Sequence, residues 1–267
     1  AAAVAAAAME AISRYGAQTE ILVLPTDHAV ADAQALLSSI RSARSQVDAG
    51  YLALFGVSAT RAETGYGYIR AGAELSQGLY RVDAFTEKPD VANAARFVAA
   101  GNYFWNSGMF LFKAEQYLSL LATHAPDIHD GVKTAVERAT TDIDFLRLDR
   151  DAFEQVRSDS IDYAVMEKTD RAVVVELESE WSDLGSWSSL AQVNEGDSHG
   201  NTAIGNVWLE SAENCIVRSE GRLIAALGTQ NQIIVDTPDA LLVADRSREQ
   251  DIKSLVGKLA EAGHSEA

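Results

Sequence analysis

The chain has 267 residues, with 22 basic and 39 acidic side chains and a formal net charge of −17 at pH 7. A charge of this sign argues against a nucleic-acid partner and against binding to an anionic membrane surface. Hydrophobic residues make up 47% of the chain and charged residues 23%, as in folded, soluble globular domains. The length exceeds that of a usual single domain, so we expect one large α/β domain with a smaller second one.

The cysteine content and the length of the apolar runs narrow the class of protein further. The single cysteine, Cys215, excludes an intrachain disulfide framework and a zinc site built from several thiolates. It also favours a reducing, cytoplasmic compartment. The longest uninterrupted apolar run, residues 1–9, leads into an ordinary helix and is far shorter than the roughly 20 residues that span a bilayer. We therefore expect no transmembrane segment.

Strand and helix patterns alternate over the first two thirds of the chain. A short apolar run at 21–24, which Pro25 stops, is typical of a strand buried on both faces of a parallel sheet. A helix predicted over 32–47 and a strand over 51–57 complete a βαβ unit. Further predicted strands are 82–86, 103–113 and 172–177, and further predicted helices are 91–100, 114–123, 128–140 and 161–167. The pattern predicts a mixed, mainly parallel sheet covered by helices.

The character of the sequence changes at Gly200. Beyond it the apolar runs are short and are separated by Gly, Asn and Asp, which indicates a small all-β domain and would permit a short β-helix. A helical pattern returns over 248–262. We therefore predict a core domain at 1–199, a small β domain at 200–247, and a helix with the start of a linker at 248–267.

Two aspartates stand where chemistry is usually done in such folds. Asp27 follows the first predicted strand, and ligands of doubly wound sheets bind outside the carboxyl ends of strands. Asp183 lies between Trp181 and Trp187, just before a predicted helix. The structural alternatives are a turn or helix-capping role for Asp27 and, in the second segment, a plain helix cap at Ser186. His28 is assigned no catalytic role, because a histidine at a strand end is more often held by structural hydrogen bonds.

Three further segments carry residues suited to contact with a ligand. Gly65 and Gly67 form a loop whose backbone can approach a ligand closely. Glu87 can accept hydroxyl hydrogens and Lys88 can hold a phosphate, although a surface ion pair explains the two equally well. Asn106 lies inside a run of large aromatic residues. Because burying its amide without partners would cost about 1–3 kcal/mol, we expect it to face a ligand or a satisfied turn.

Six segments, in this order, resemble those of the bacterial mannose-1-phosphate guanylyltransferases, the GDP-mannose pyrophosphorylases that are often fused to a mannose-6-phosphate isomerase domain. The six segments are LPTDH at 24–28, ETGYGYI at 63–69, FTEKP at 85–89, WNSGMF at 105–110, IDYAVMEK at 161–168 and WSDLGSW at 181–187. The resemblance implies a Rossmann-like nucleotidyltransferase core, GTP and mannose 1-phosphate as substrates, Mg²⁺ as cofactor, and GDP-mannose as a product for polysaccharide synthesis.

The resemblance also implies roles for individual residues. Asp27 and Asp183 would hold Mg²⁺, and Lys88 would neutralise the sugar phosphate. The residues implied to bind the mannose hydroxyls are Glu87, Asn106 and the backbone at Gly65. The sugar-phosphate oxygen would then attack the α-phosphorus of GTP in line and expel pyrophosphate. Such chemistry depends on positioning and charge neutralisation.

The sequence also departs from the family pattern. The glycine-rich nucleotide loop of the family, G-G-x-G-x-R-L-x-P, is not found in the chain, and neither is the isomerase domain. We therefore expect an internal piece of a longer enzyme, inactive by itself, with a homodimer as one expected assembly. Two other functions stay open: nucleotidyl transfer to another sugar 1-phosphate, and a non-catalytic regulatory module that binds sugar phosphates. The joint presence of Asp27, Lys88 and Asp183 speaks against the second.

Overall fold

The computed structural model describes residues 1–143, 145–192, 194 and 196–264. The chain divides into two compact units. The first comprises Ala1–Thr26 and Val30–Trp181, and the second comprises Asp27–Ala29 and Ser182–Ala267. None of the described helices has the length and apolar character that a membrane crossing needs. The domain boundaries predicted at 199 and 247 stay predictions.

The first part of the chain alternates strands and helices. Its strands are β1 (Glu20–Val23), β2 (Ala29–Val30), β3 (Leu52–Ser58), β4 (Tyr68–Ser76), β5 (Leu79–Thr86), β6 (Tyr103–Lys113), β7 (Thr140–Asp142), β8 (Phe145–Arg147) and β9 (Ala172–Glu176). Its helices are α1 (Ala2–Tyr15), α2 (Ala33–Asp48), α3 (Val91–Ala100), α4 (Ala114–His124), α5 (Pro126–Glu137), α6 (Arg150–Glu154) and a π-helix at Asp162–Met166. The predicted strand at 103–113 and the predicted helix at 91–100 coincide with β6 and α3.

Six strands form the main sheet of the first unit, in the order β1-β6-β3-β9-β5-β4, and β4 also pairs with β6. β3 and β9 are parallel, and the other described neighbouring pairs are antiparallel. The mixed sheet is therefore confirmed. Four of the six strands, β1, β3, β4 and β9, run in the same direction, as expected of a mainly parallel sheet. Most neighbouring strands are nevertheless antiparallel, so the prediction is wrong for the pairing.

The strand predicted at 21–24 differs most from expectation. It is not buried between parallel neighbours: β1 pairs antiparallel with β6 at one end of the described sheet order, and Leu22 is 40% exposed. The physical reason is that a short apolar run reports only a preference for apolar contacts, whereas tertiary packing selects the partner strand and its direction. The βαβ unit itself is present, with β6 lying between β1 and β3.

Both faces of the main sheet are covered, as alternation along the central strands shows. In β3, Leu54 packs in a cluster with residues of α1, α4 and α5, whereas Phe55 packs in a second cluster with α2. In β9, Val174 belongs to the first cluster and its neighbour Val173 to the second. Because side chains alternate across a strand, this division places helices on both faces. The predicted α/β architecture is confirmed.

Aspartates begin two of the helices that flank this sheet. The carboxylate of Asp32 accepts hydrogen bonds from the backbone N–H groups of Gln34 and Ala35 at the start of α2. Asp90 accepts one from the N–H of Asn93 at the start of α3. Each bond satisfies a backbone donor that has no partner within the helix. Both aspartates are therefore structural caps.

The second unit contains stacked parallel strands. β10 (Trp181–Ser182) contains the last residue of the first unit and Ser182 of the second. The other elements of the second unit are α7 (Trp187–Gln192), β11 (Thr202–Ile204), β12 (Val207–Glu210), β13 (Ile216–Ser219), β14 (Ile224–Leu227), β15 (Gln232–Asp236), β16 (Leu241–Asp245), a 3₁₀-helix at Arg246–Asp251 and α8 (Ile252–Glu261). β11, β13 and β15 form one parallel stack, and β12 and β14 form another. Because the chain alternates between the stacks, it coils as a short β-helix, which confirms the predicted β-helix.

Close backbone approach fixes the spacing of these coils. Gly205 has a φ of +85°, and a Cβ built on it would lie 2.0 Å from the carbonyl oxygen of Ser219 in the next coil. Asn201 links the same coils, because its side chain accepts a hydrogen bond from the N–H of Cys215 and donates one to the carbonyl of Ala212. The positive φ and the short distance together require glycine at 205.

Candidate active site

The first unit brings Glu87 and Asn106 together over the backbone of Gly67. Glu87 follows β5, and Asn106 lies in β6, where its N–H donates to the carbonyl of Gly67 at 2.8 Å. A Cβ built on Gly67 would lie 2.5 Å from Oε2 of Glu87 and 3.2 Å from Cβ of Asn106. A side chain at 67 therefore has no room while the carboxylate keeps this position.

Lys88 stands beside this pair. Its Nζ lies 3.3 Å from Oε1 of Glu87, and its side chain is 62% exposed whereas that of Glu87 is 12% exposed. The backbone of Lys88 has a φ of +46°, in the left-handed region that non-glycine residues avoid. Such conformations cluster at functional sites, where the surroundings over-determine them. The arrangement leaves an accessible ammonium next to a partly buried carboxylate.

Two carboxylates that the sequence interpretation did not select complete the cluster. Asp162 Oδ1 accepts a hydrogen bond from Nδ2 of Asn106 at 2.9 Å. Glu167 Oε1 accepts one from the backbone N–H of Glu87 at 3.2 Å. Both belong to the IDYAVMEK segment at 161–168, which carried part of the family resemblance but no assigned role. That segment was the available signal for them.

The two glycines of the 63–69 loop differ in their surroundings. Gly65 is exposed, and a Cβ built on it meets nothing within 4 Å. Gly67 is buried at the point where Glu87 and Asn106 meet. The predicted role of the Gly65 backbone in sugar binding stays a prediction. The glycine whose missing side chain leaves room for the Glu87 carboxylate is Gly67, which the sequence interpretation noted only as part of the loop.

Burial sets the electrostatics of the cluster. It raises the pKa of the Glu87 carboxyl, the charges of Asp162 and Glu167 raise that pKa further, and Lys88 opposes the shift. Burial also raises the pKa of Asp162, against the hydrogen bonds from its own backbone, Asn106 and Ser160. Desolvation and like charges both disfavour the ionised form of a carboxyl group. The folded protein therefore holds these carboxylates at the expense of stability.

The Glu87→Gln variant is expected to unfold at a higher temperature than wild type at neutral pH. Since the folded-state pKa of Glu87 is raised, its contribution to stability is complete below the ordinary value of 4.5 and is lost as the pH rises through the folded-state pKa. Thermal unfolding at a series of pH values measures this directly. The gap between variant and wild type should widen with pH, while exposed Glu74→Gln shows no such trend. A gap independent of pH would contradict the prediction.

Asp27 and Asp183, the predicted metal ligands, both fall within the second unit. Asp27 is exposed. Oδ1 of Asp183 accepts a hydrogen bond from the N–H of Gly185 at 3.1 Å, and a Cβ built on Gly185 would lie 2.7 Å from Oδ2. A tight turn therefore orients the Asp183 carboxylate, and glycine at 185 leaves the space around its oxygens open.

The chemistry of these two residues fits Mg²⁺. Carboxylate oxygens are hard ligands, and proteins usually bind Mg²⁺ through one or two carboxylates together with substrate phosphates and water. Across residues 1–143, 145–192, 194 and 196–264, no group of three or more His, Cys, Asp or Glu residues forms a metal site. The predicted site needs only two such residues and stays a prediction.

Comparison with known proteins identifies the family. A family model described as Nucleotidyl transferase matches residues 1–200. The chain belongs to this family. A second model, described as MannoseP isomerase/GMP-like beta-helix domain, matches residues 205–259, the region of the stacked parallel strands.

Individual relatives agree with the resemblance found in the sequence. Alginate biosynthesis protein AlgA of Pseudomonas aeruginosa is 45% identical over 99% of this chain and 55% of its own length. Mannose-1-phosphate guanylyltransferase of Klebsiella pneumoniae is 44% identical over 99% of this chain and 56% of its own length. The chain thus spans about half the length of the curated relatives it matches.

One solved structure also matches nearly the whole chain. The crystal structure of mannose-1-phosphate geranyltransferase from Thermus thermophilus has a TM-score of 0.85 and 30% sequence identity. The match covers 97% of this chain and 74% of that one. The resemblance to the bacterial mannose-1-phosphate guanylyltransferases, stated from the six sequence segments, is confirmed.

Proposed function

We propose that the protein transfers the guanylyl group of GTP to mannose 1-phosphate and releases pyrophosphate, which makes GDP-mannose. The observation that carries the proposal is the meeting of a partly buried carboxylate, an oriented amide and an accessible ammonium at Glu87, Asn106 and Lys88. A sugar 1-phosphate presents hydroxyls and a phosphate, which match these three groups. The named activity of the Klebsiella pneumoniae relative supports the choice of mannose and of the guanylyl group.

Each group has a distinct part in binding the sugar phosphate. The ammonium of Lys88 forms a charge-assisted hydrogen bond with a phosphate oxygen. The carboxylate of Glu87 accepts hydrogen bonds from sugar hydroxyls, and the amide of Asn106 offers one remaining N–H donor and one remaining lone pair. These contacts hold the phosphate oxygen in place for its in-line attack on the α-phosphorus of GTP. No covalent intermediate with the protein is required.

Asp27 and Asp183 are the residues that we propose as ligands of the metal ion. They would hold Mg²⁺, and the ion would supply positive charge to neutralise the phosphates of the nucleotide. The proposal further assigns the product to polysaccharide synthesis in the cytoplasm. The name of the Pseudomonas aeruginosa relative and the free thiol of Cys215 are consistent with that setting. The homodimer stays a prediction.

Lys88→Ala is expected to weaken the binding of mannose 1-phosphate by about tenfold to a hundredfold, since a hydrogen bond to a charged group contributes about 1.5–3 kcal/mol. Isothermal titration of the full-length protein with mannose 1-phosphate measures the change. The matched control is Lys133→Ala, because Lys133 is similarly exposed at 57% and also faces a carboxylate, that of Glu137. Wild-type affinity should persist in this control.

Two results would count against the proposal. Equal affinity of wild type and Lys88→Ala for mannose 1-phosphate would remove Lys88 from the site. Tighter binding of glucose 1-phosphate than of mannose 1-phosphate by the wild-type protein would favour a different sugar nucleotide as the product. A separate measurement of turnover by the full-length protein, with GTP and with other nucleoside triphosphates, identifies the base.

A further inference from the structure

We infer that Asp162 and Glu167 are positioning residues, which hold the predicted sugar ligands Asn106 and Glu87 from the two ends of one π-helix. The inference rests on the proposed function for the identity of the sugar phosphate. It adds two residues whose own contacts are with the ligands of the sugar. Neither of them needs to touch the substrate.

Asp162 fixes which way the amide of Asn106 points. Nδ2 of Asn106 donates to Oδ1 of Asp162 at 2.9 Å, and Oδ1 of Asn106 accepts from the N–H of Gly108 at 3.2 Å. Reversing the amide would set its oxygen against a carboxylate and its NH₂ group against an N–H donor. Gly108 has a φ of +71°, the conformation that turns its N–H back toward residue 106. The free N–H of Asn106 therefore has one direction in which to meet a hydroxyl.

Glu167 acts on the backbone that carries the other ligand. Its Oε1 accepts the N–H of Glu87 at 3.2 Å, where the chain leaves β5. The next residue, Lys88, has the positive φ of +46°. A backbone in this region costs about 1–3 kcal/mol and persists only where its surroundings hold it. The hydrogen bond to Glu167 is one such restraint, and it orients Glu87 and Lys88 together.

The π-helix is what brings the two positioning residues to the same place. The N–H of Glu167 donates to the carbonyl of Asp162 at 3.0 Å, which is an i→i+5 bond that joins them directly. In an α-helix, residues five apart differ by about 140° around the axis, because each turn holds 3.6 residues. The wider π turn brings residue 167 back toward the side of residue 162. Single π turns are frequent at functional sites.

Stability alone does not account for this arrangement. Asp162 and Glu167 both face Glu87, and the three carboxylates repel one another, as the raised pKa of Glu87 reflects. Nearby, Ala164 and Val165 of the same π-helix are fully buried in the core. These apolar residues are sufficient to pack the π-helix against the core, so packing does not require Asp162 or Glu167. The acidic residues are explained by the ligands that they orient.

The test compares Asp162→Ala and Glu167→Ala, which remove the accepting oxygens, with the wild-type full-length protein. We expect each variant to stay folded and to bind mannose 1-phosphate about tenfold more weakly with an unchanged KM for GTP, whereas Asp162→Asn and Glu167→Gln, which keep an accepting oxygen, should retain most of the affinity. Calorimetry, steady-state kinetics and thermal unfolding give the three measurements. The control is Asp151→Ala, because Asp151 is an exposed aspartate on α6, and this variant should match wild type in all three measurements.

A double-mutant cycle distinguishes positioning from a general structural role. In an Asn106→Ala background, Asp162→Ala should have no further effect on the affinity for mannose 1-phosphate, because the action of Asp162 passes through the amide of residue 106. Additive losses would overturn the inference, as would folded single variants with wild-type affinity. If the wild-type protein prefers another hexose 1-phosphate, the proposed substrate is wrong. The same cycle with that ligand then decides the inference.

Discussion

In the full-length enzyme, Asp183→Asn and Asp27→Asn are each expected to lower kcat for GDP-mannose formation by about 10²–10³-fold, the usual effect of removing a group that stabilises charge in a transition state. Asparagine keeps the oxygen that can accept the Gly185 N–H, so the turn is retained while the charge is lost. Steady-state release of pyrophosphate at saturating substrates measures kcat. Repeating the measurement over a range of Mg²⁺ concentrations tests whether the variants need more Mg²⁺ for half-maximal activity.

The double variant gives the sharper result. If both carboxylates hold one ion, Asp27→Asn combined with Asp183→Asn should be little slower than either single variant, because residues acting as a unit are not additive. Asp32→Asn is the control, since asparagine caps a helix as well as aspartate does. Multiplying losses in the double variant, or a normal kcat in either single one, would rule out the shared site.

Gly67→Ala is expected to weaken mannose 1-phosphate binding by about tenfold to a hundredfold. The new Cβ would stand 2.5 Å from Oε2 of Glu87, so the carboxylate must leave its position beside Asn106. Gly65→Ala is a control within the same loop, because its Cβ meets nothing within 4 Å. Calorimetric titration of both variants with mannose 1-phosphate measures the difference.

Thermal unfolding accompanies this comparison, so that a loss of fold is not mistaken for a loss of binding. The expected pattern is a folded Gly67→Ala protein with weak sugar-phosphate binding and a Gly65→Ala protein close to wild type. A stronger loss in Gly65→Ala than in Gly67→Ala would return the sugar contact to the Gly65 backbone, the position that the sequence resemblance implies.

Much of the fold follows from local sequence patterns. The continuous apolar and aromatic character of 103–113 predicts β6, and the 3.6-residue period of 91–100 predicts α3. Strand direction is a different matter. The run at 21–24 is apolar enough for the interior of a parallel sheet, yet its partner is the antiparallel β6. Pairing depends on contacts between distant segments, which local periodicity does not report.

Only some residues of the candidate site could likewise be predicted from the sequence. Glu87, Lys88 and Asn106 stand out in the sequence because polar groups interrupt apolar runs there. Asp162 and Glu167 do not, since acidic residues on a short helix are usually solvated. The predicted helix at 161–167 is present as a π-helix, but the i→i+5 bond that brings its two acidic residues together has no signature in the residue types. Only the folded chain places them beside their partners.

The π-helix also has a consequence for changing the choice of sugar by laboratory evolution. Its inner residues, Ala164 and Val165, are fixed in the same apolar cluster as Tyr117 and Leu121 of α4. A library restricted to residues that touch the sugar leaves the packing between the π-helix and α4 unchanged. Substitutions in α4 that tilt the π-helix would shift the donors and acceptors of the subsite together. Altered hexose selectivity is therefore expected to arise from positions buried beneath the subsite as well as from those lining it.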